Sequence, residues 1–147
     1  MVDDALFSSA RKDWGTPKWL FDDLNKRYNF TVDAAASPHN AKCEKFFSEE
    51  GENGLIASWQ NHCVFVNPPY GRDITGLWVR KCLEEYNKGA CLICALLPVR
   101  TDTRWFRDYI VNKKGVRIEF IKGRLKFEGA KHSAPFPSML VKYGLWW

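Results

Sequence analysis

Apolar positions along this chain alternate between short unbroken runs and stripes at helical spacing. Thr16-Pro17 marks a helix start, with a hydroxyl cap and proline at the first helical position, and Trp19, Leu20, Leu24 and Tyr28 follow on one face. Phe30-Thr31-Val32-Asp33-Ala34 reads as a short strand ending at an acid. Residues 36–62 are polar and turn-rich, with Leu55, Ile56 and Trp59 as anchors. Cys63-Val64-Phe65-Val66 fits a central strand buried on both faces. A second helical stripe runs through Ile74, Leu77, Trp78, Cys82, Leu83 and Tyr86. A strand over 90–97, a helix over 103–111, a strand over 116–121 and a last strand over 138–143 complete the pattern.

Strands alternating with helices predict a layered α/β fold with a mainly parallel sheet and an antiparallel C-terminal strand or hairpin. No repeat or linker interrupts the chain, so residues 14–147 are expected to form a single domain. Residues 1–13 are polar and read as a flexible N-terminal arm. In such sheets ligands bind beyond the carboxyl ends of the strands. Asp33, Asn67 and the segment Pro98 to Thr103 all follow predicted strands.

A length of 147 residues leaves room for one core and none for a separate recognition domain. No apolar run approaches the roughly 20 residues that a membrane helix needs, and the N-terminus lacks the apolar stretch of a secretory signal. Five cysteines without framework spacing point to free thiols in a reducing cytoplasm. Cys91-x-x-Cys94 lies in an apolar run without a second ligand pair, which favours buried free thiols over zinc. The net charge of +5 is concentrated between Arg100 and Lys131, where ten Lys or Arg face four Asp or Glu. Interleaved with Trp105, Phe106, Tyr109, Phe120 and Phe127, this excess suits a polyanion; it equally fits a solvated basic face.

The sharpest local feature is Asn67-Pro68-Pro69-Tyr70-Gly71, directly after a buried strand. Asn-Pro-Pro is also an ordinary turn sequence. The two prolines fix φ and supply carbonyls with no competing N–H, so the Asn67 side-chain oxygen and the Pro68 carbonyl can converge on one point. Two such acceptors match an exocyclic amine with two hydrogens, and Tyr70 offers a ring on which a base can stack. A nucleobase amine is a poor nucleophile because its lone pair is delocalised. Accepting both hydrogens favours a pyramidal nitrogen that can attack an activated methyl. A base in a duplex must first leave the stack.

Asn-Pro-Pro-Tyr after a strand resembles the amino-methyltransferase motif. The wider chain resembles the small phage-type DNA N-6-adenine methyltransferases, the Dam family, from about Asp13 to Tyr143. The pieces that carry this are Trp14-Gly15-Thr16-Pro17, Val32-Asp33-Ala34-Ala35-Ala36, Asn40-Ala41-Lys42-Cys43 and Asn53-Gly54-Leu55 with Trp59. They continue through the Asn67 motif, Leu96 to Phe106, Gly123 to Phe127 and Ala134-Pro135-Phe136-Pro137-Ser138. The resemblance implies a trimmed Rossmann-like class I fold, S-adenosylmethionine as cofactor and double-stranded DNA as partner. It also implies a cytoplasmic setting in a bacterial host, with Asn67, Pro68, Pro69 and Tyr70 at the catalytic centre. Trp14, Thr16, Pro17, Asp33, Ala34, Ala35, Asn53, Leu55 and Asn67 would then face the cofactor. Thr16-Pro17 would lie against its methionine part, Asp33 would receive its ammonium group, and Asn53 would stand where relatives have an acid.

Two departures stand out. Ala34-Ala35-Ala36-Ser37 replaces the usual glycine-rich turn, and the short interval between Asp33 and the next strand trims the ribose-binding strand. Glu44, Glu49 and Glu50 are candidates for its carboxylate. Arg100 and Arg104, just past a strand end, and Arg72, beside Tyr70, are candidate DNA contacts. Arg124 and Lys126 either join them or form a solvated hairpin face. Cytosine-N4 methylation, and a nucleic-acid-binding module without catalysis, remain alternative readings.

Overall fold

The central strand is the most apolar run of the chain, and the computed structural model shows why; it describes residues 14–144, so the 1–13 segment lies outside the described residues. Five strands form one sheet: β1 (Val32–Asp33), β2 (Cys63–Val66), β3 (Leu92–Pro98), β4 (Val116–Phe120) and β5 (Ser138–Tyr143), in the order β1-β2-β3-β5-β4. Every residue of β3 is buried. Three helices are present among the described residues: α1 (Lys18–Tyr28), α2 (Thr75–Asn87) and α3 (Arg104–Tyr109).

The sheet is mixed rather than mainly parallel by pairing. β1-β2 and β2-β3 are parallel, whereas β5 runs antiparallel to both β3 and β4. Strand direction nonetheless agrees with the expectation, since β5 alone opposes the other four. Side chains of a strand alternate between faces, and this splits the core in two. Val64, Val66, Ile93, Ala95, Leu97, Met139, Val141 and Tyr143 pack with Trp78, Val79 and Cys82 of α2. Phe65, Cys94, Leu96 and Leu140 pack with Leu20, Phe21 and Leu24 of α1, and with Leu125, Phe127 and Phe136 from the segment between β4 and β5.

Several local expectations need correction. Thr16 does not cap α1: Pro17 holds the cap position, and its carbonyl accepts the N–H groups of Leu20 and Phe21 at 3.1 Å. Trp19 is exposed, because the buried face is centred on Leu20, Phe21 and Leu24. Ile56, expected as an apolar anchor, and Leu77, placed in the second helical stripe, are also exposed, and so is Cys91, whereas Cys94 is buried. At the end of α1, Asn29 takes a left-handed φ of 53° and the Asn25 side chain accepts the Phe30 N–H at 2.8 Å, which turns the chain toward β1.

The turn-rich stretch before β2 is fixed by a buried ion pair. Glu85 accepts the Trp59 backbone N–H at 2.6 Å; Lys81 donates to the Ala57 carbonyl at 2.7 Å and to Glu85 at 3.2 Å. The Trp59 indole N–H donates to the Gly54 carbonyl at 3.0 Å. A buried pair of this kind adds little stability over an apolar replacement, but it specifies geometry. Here it fastens residues 54–59 to α2 and sets where Gly54 stands.

Candidate active site

β1, β2 and β3 run the same way, so Asp33, Asn67 and Pro98 emerge at one edge of the sheet. Pro98 pairs with Ser138, which brings the end of the β4–β5 connection to that edge as well. A cavity of about 340 Å³ opens there, lined by Trp14, Ala35, Ala36, Asn53, Gly54, Asn67, Pro68 and Pro69, among others. That volume falls within the roughly 300–1,000 Å³ usual for small-molecule sites.

The Asn67 side chain is held by two partners from the N-terminal segment. Its Nδ2 donates to the Trp14 carbonyl and, at 3.0 Å, to the Thr16 hydroxyl. A carbonyl can only accept, so the amide orientation is determined. Its Oδ1 is then left buried with no hydrogen-bond partner. Leaving a buried acceptor unpaired costs roughly 1–3 kcal/mol, so such an atom calls for an explanation, and a partner supplied by a bound ligand is one. The hydroxyl of Thr16 thus serves the site instead of the helix cap.

The turn after Asn67 is held from below by Thr75, which the sequence pattern did not single out. Its hydroxyl accepts the Gly71 N–H at 2.9 Å and donates to the Pro69 carbonyl at 3.2 Å. A threonine six residues after the second proline, at the start of the next helix, was the available signal.

Asp33 is 4% exposed. Its carboxylate accepts the backbone N–H of Lys42 at 3.0 Å and of Ala35 at 3.4 Å. Burial pushes its pKa up to about 6, only partly offset by these two N–H groups and by the Lys42 charge. Asp33 lines a small recess with Gly15, Thr16 and Lys42, and Trp14, Ala35, Asn40 and Asn67 are shared between this recess and the larger cavity. Asn40 is itself part of the loop, its side-chain oxygen accepting the Ser37 N–H at 2.8 Å.

Two acids belong to the lining of the cavity. Glu49 and Glu50 line it, and Glu44 does not. Asn53 lines it while its side-chain oxygen accepts the Leu55 N–H at 2.9 Å. A Cβ on Gly54 would stand 2.0 Å from the Ala34 carbonyl oxygen and 2.9 Å from the Trp78 ring, so only glycine fits between them. Trp78 and Ile74 of the second apolar stripe line the cavity too.

Four expected site residues stand elsewhere. Ala34 is fully buried, Leu55 packs on the core, Pro17 occupies the helix cap position, and none of them lines the cavity. Tyr70 is 1% exposed. Its hydroxyl donates to the Leu96 carbonyl at 2.9 Å, and its ring meets Phe127 and Phe136 edge-on at centroid distances of 6.2 and 5.7 Å. In this conformation the Tyr70 ring is therefore buried against the β4–β5 connection. That connection is clasped to the N-terminal side of the site: Glu128 N–H donates to the Gly15 carbonyl at 2.8 Å, and Lys42 pairs with the Glu128 carboxylate at 3.1 Å.

Among the basic candidates, Arg72, Arg104, Arg124 and Lys126 are exposed. Arg100 is half-buried, and its Nε bonds Asp102 at 3.2 Å, a pairing that holds the Asp102 carboxyl below its ordinary pKa. The strands that precede Arg72, Arg100 and Arg124 all end at the edge where Asn67 stands.

Comparison with known proteins gives one family. Residues 4–141 match the DNA N-6-adenine-methyltransferase (Dam) family. A protein named DNA N-6-adenine-methyltransferase from Haemophilus phage HP1 is 30% identical over 138 residues, covering 88% of this chain and 77% of that one. A second, of the same name, from Escherichia phage T1 is 39% identical over 104 residues, which is 68% of this chain and 41% of the relative's length.

Proposed function

The chain belongs to the DNA N-6-adenine-methyltransferase (Dam) family, which makes it an adenine-specific DNA methyltransferase, and we propose that it methylates the N6 amine of an adenine flipped out of duplex DNA. The observation that carries this reading is the Oδ1 atom of Asn67, buried, unpartnered and fixed in orientation at the edge of a ligand-sized cavity. An amine hydrogen is the partner it lacks. The carbonyl of Pro68 takes the second hydrogen, and the nitrogen lone pair becomes available for attack.

The methyl donor is S-adenosylmethionine, which supplies a methyl activated on a positively charged sulfur. The residues present suit it. Asp33 offers a carboxylate to an ammonium group, Glu49 and Glu50 offer acceptors to a ribose diol, and Ala35, Ala36 and Gly54 leave room for close approach. The sheet is read as a trimmed Rossmann-like class I methyltransferase fold, with the cavity at the carboxyl ends of its parallel strands. Stacking of the base on Tyr70 requires the Phe127–Phe136 segment to move away from the ring.

Arg72, Arg100, Arg104, Arg124 and Lys126 form the DNA-facing set in this reading. Changing Arg100 and Arg104 together to Gln should weaken duplex binding and flatten its salt dependence. Each lost phosphate contact lowers the log–log slope by roughly 0.9. Arg104 is the larger contributor expected, because Arg100 already answers to Asp102. Titration of duplex DNA at several salt concentrations checks this, and parallel curves for mutant and wild type would move the DNA surface to Arg72, Arg124 and Lys126. The function itself is tested by incubating the protein with duplex DNA and donor labelled in the methyl group. Label should enter the DNA; a protein that binds the duplex but neither binds donor nor transfers label would be an inert binding module.

A further inference from the structure

The outer edge of β4 is unpaired among the described residues: the sheet ends there, and no isolated bridge involves it. Register determines what that edge presents. The Ile121 N–H donates to the Ser138 carbonyl at 3.0 Å, continuing the ladder in which Phe120 faces Met139. Hydrogen-bonded and non-hydrogen-bonded pairs alternate along an antiparallel ladder. Arg117 and Glu119 therefore turn their backbone groups toward β5, while Val116, Ile118 and Phe120 turn theirs outward. The Val116 N–H is taken by the Lys113 carbonyl at 3.2 Å. The Val116 carbonyl and both groups of Ile118 and Phe120 remain on the outer edge.

We propose that β4 pairs antiparallel with β4 of a second copy of this chain, about a two-fold axis through Ile118. In this register Ile118 exchanges both backbone bonds with its own copy, and each Phe120 N–H meets the other copy's Val116 carbonyl. The Val116 N–H already engaged by Lys113 is the one group for which no partner is needed. Arg117 falls opposite Glu119 of the second copy, twice, as a close non-hydrogen-bonded pair of opposite charge. Glu119 bonds Lys142 at 2.5 Å, yet its side chain is 51% exposed and open to a second cation.

Charge also selects the register. A shift of the axis by one residue either way puts Arg117 opposite Arg117, or Glu119 opposite Glu119, and like charges facing each other destabilise a strand pair. The strand is thus complementary to itself and not to an arbitrary edge. Phe120, 60% exposed on the opposite face from the charged pair, comes to lie across from Val116 of the second copy. Two chains would share one continuous sheet with a catalytic edge on each.

Sedimentation of the full chain over a concentration series should show a monomer–dimer equilibrium. Phe120→Lys should raise the dissociation constant about tenfold or more. Geometry is read by disulfide trapping in a Cys91→Ser background, which removes the exposed native thiol. Arg117→Cys with Glu119→Cys places cysteines in a non-hydrogen-bonded pair about 4.5 Å apart at Cα, within disulfide reach. Mild oxidation should give a covalent dimer that reductant reverses. Either single variant leaves its cysteines on a diagonal of about 7–8 Å, beyond that reach, and should stay monomeric on a denaturing gel. Sedimentation as a monomer at every concentration, with no covalent dimer from the double variant, would overturn the proposal. A dimer indifferent to Phe120→Lys, or trapped equally well by the single variants, would overturn it too.

Discussion

Asn67→Ala should leave a folded protein that still binds DNA but transfers methyl groups about 10²–10³ times more slowly. In the proposed reaction Oδ1 would act on the amine as its nitrogen changes shape, so its loss should be felt in the reaction more than in duplex binding. The structure adds a complication that a second variant resolves. Asn67 also ties down the Trp14 carbonyl and the Thr16 hydroxyl, so alanine loosens that segment as well. Thr16→Val removes the hydroxyl while leaving Oδ1 in place, and should cost much less. Single-turnover rates for both variants decide the matter. Equal losses would mean that Asn67 acts only by holding the segment, and normal turnover in folded Asn67→Ala would remove it from the active site.

Asp33→Ala should weaken S-adenosylmethionine binding by about 2–5 kcal/mol, the usual result of truncating one side of a desolvated, hydrogen-bonded charge pair. The same carboxylate predicts a pH dependence. Its pKa in the folded protein is about 6, above the ordinary 3.8, because burial penalises the charge. A raised acid is more easily protonated folded than unfolded, so its contribution to stability is greatest at low pH. That contribution falls as pH rises from about 4 to about 6, by on the order of 3 kcal/mol. Binding runs the other way. The ammonium group needs the ionised form, so affinity should drop about tenfold between pH 8 and pH 5. Calorimetry across that range measures both effects. Unchanged affinity in Asp33→Ala, or a flat profile, would reduce Asp33 to the end of a strand.

Much of this arrangement was legible in the sequence, for a physical reason. Runs such as Cys63–Val66, and the buried strand that follows α2, are unambiguous because a strand covered on both faces has no polar option. Asn67 stood out because Pro-Pro after such a strand leaves a polar amide with nowhere local to spend its hydrogen bonds, and the structure places that amide at the cavity, bonded to Trp14 and Thr16. What stayed hidden depends on contacts distant in sequence. Thr16 carries a complete capping signal, and only the fold shows its hydroxyl facing Asn67 across 51 residues. Tyr70 has the residue type for base stacking, but Phe127 and Phe136 cover it from a segment whose position no local pattern encodes. The sheet departs from mainly parallel pairing because β5 inserts between β3 and β4, which strand order along the chain does not reveal. Glu49 and Glu50 were two of three equivalent acids until the cavity separated them from Glu44.

Adenine-N6 methylation is tested most directly by mass spectrometry of nucleosides released from duplex DNA after incubation with the protein and donor labelled in the methyl group. Labelled N6-methyldeoxyadenosine is expected from the wild-type protein, and a product level reduced about 10²–10³-fold with Asn67→Ala under the same conditions. Label on the N4 amine of deoxycytidine, on a ring atom, or on no nucleoside at all would contradict it.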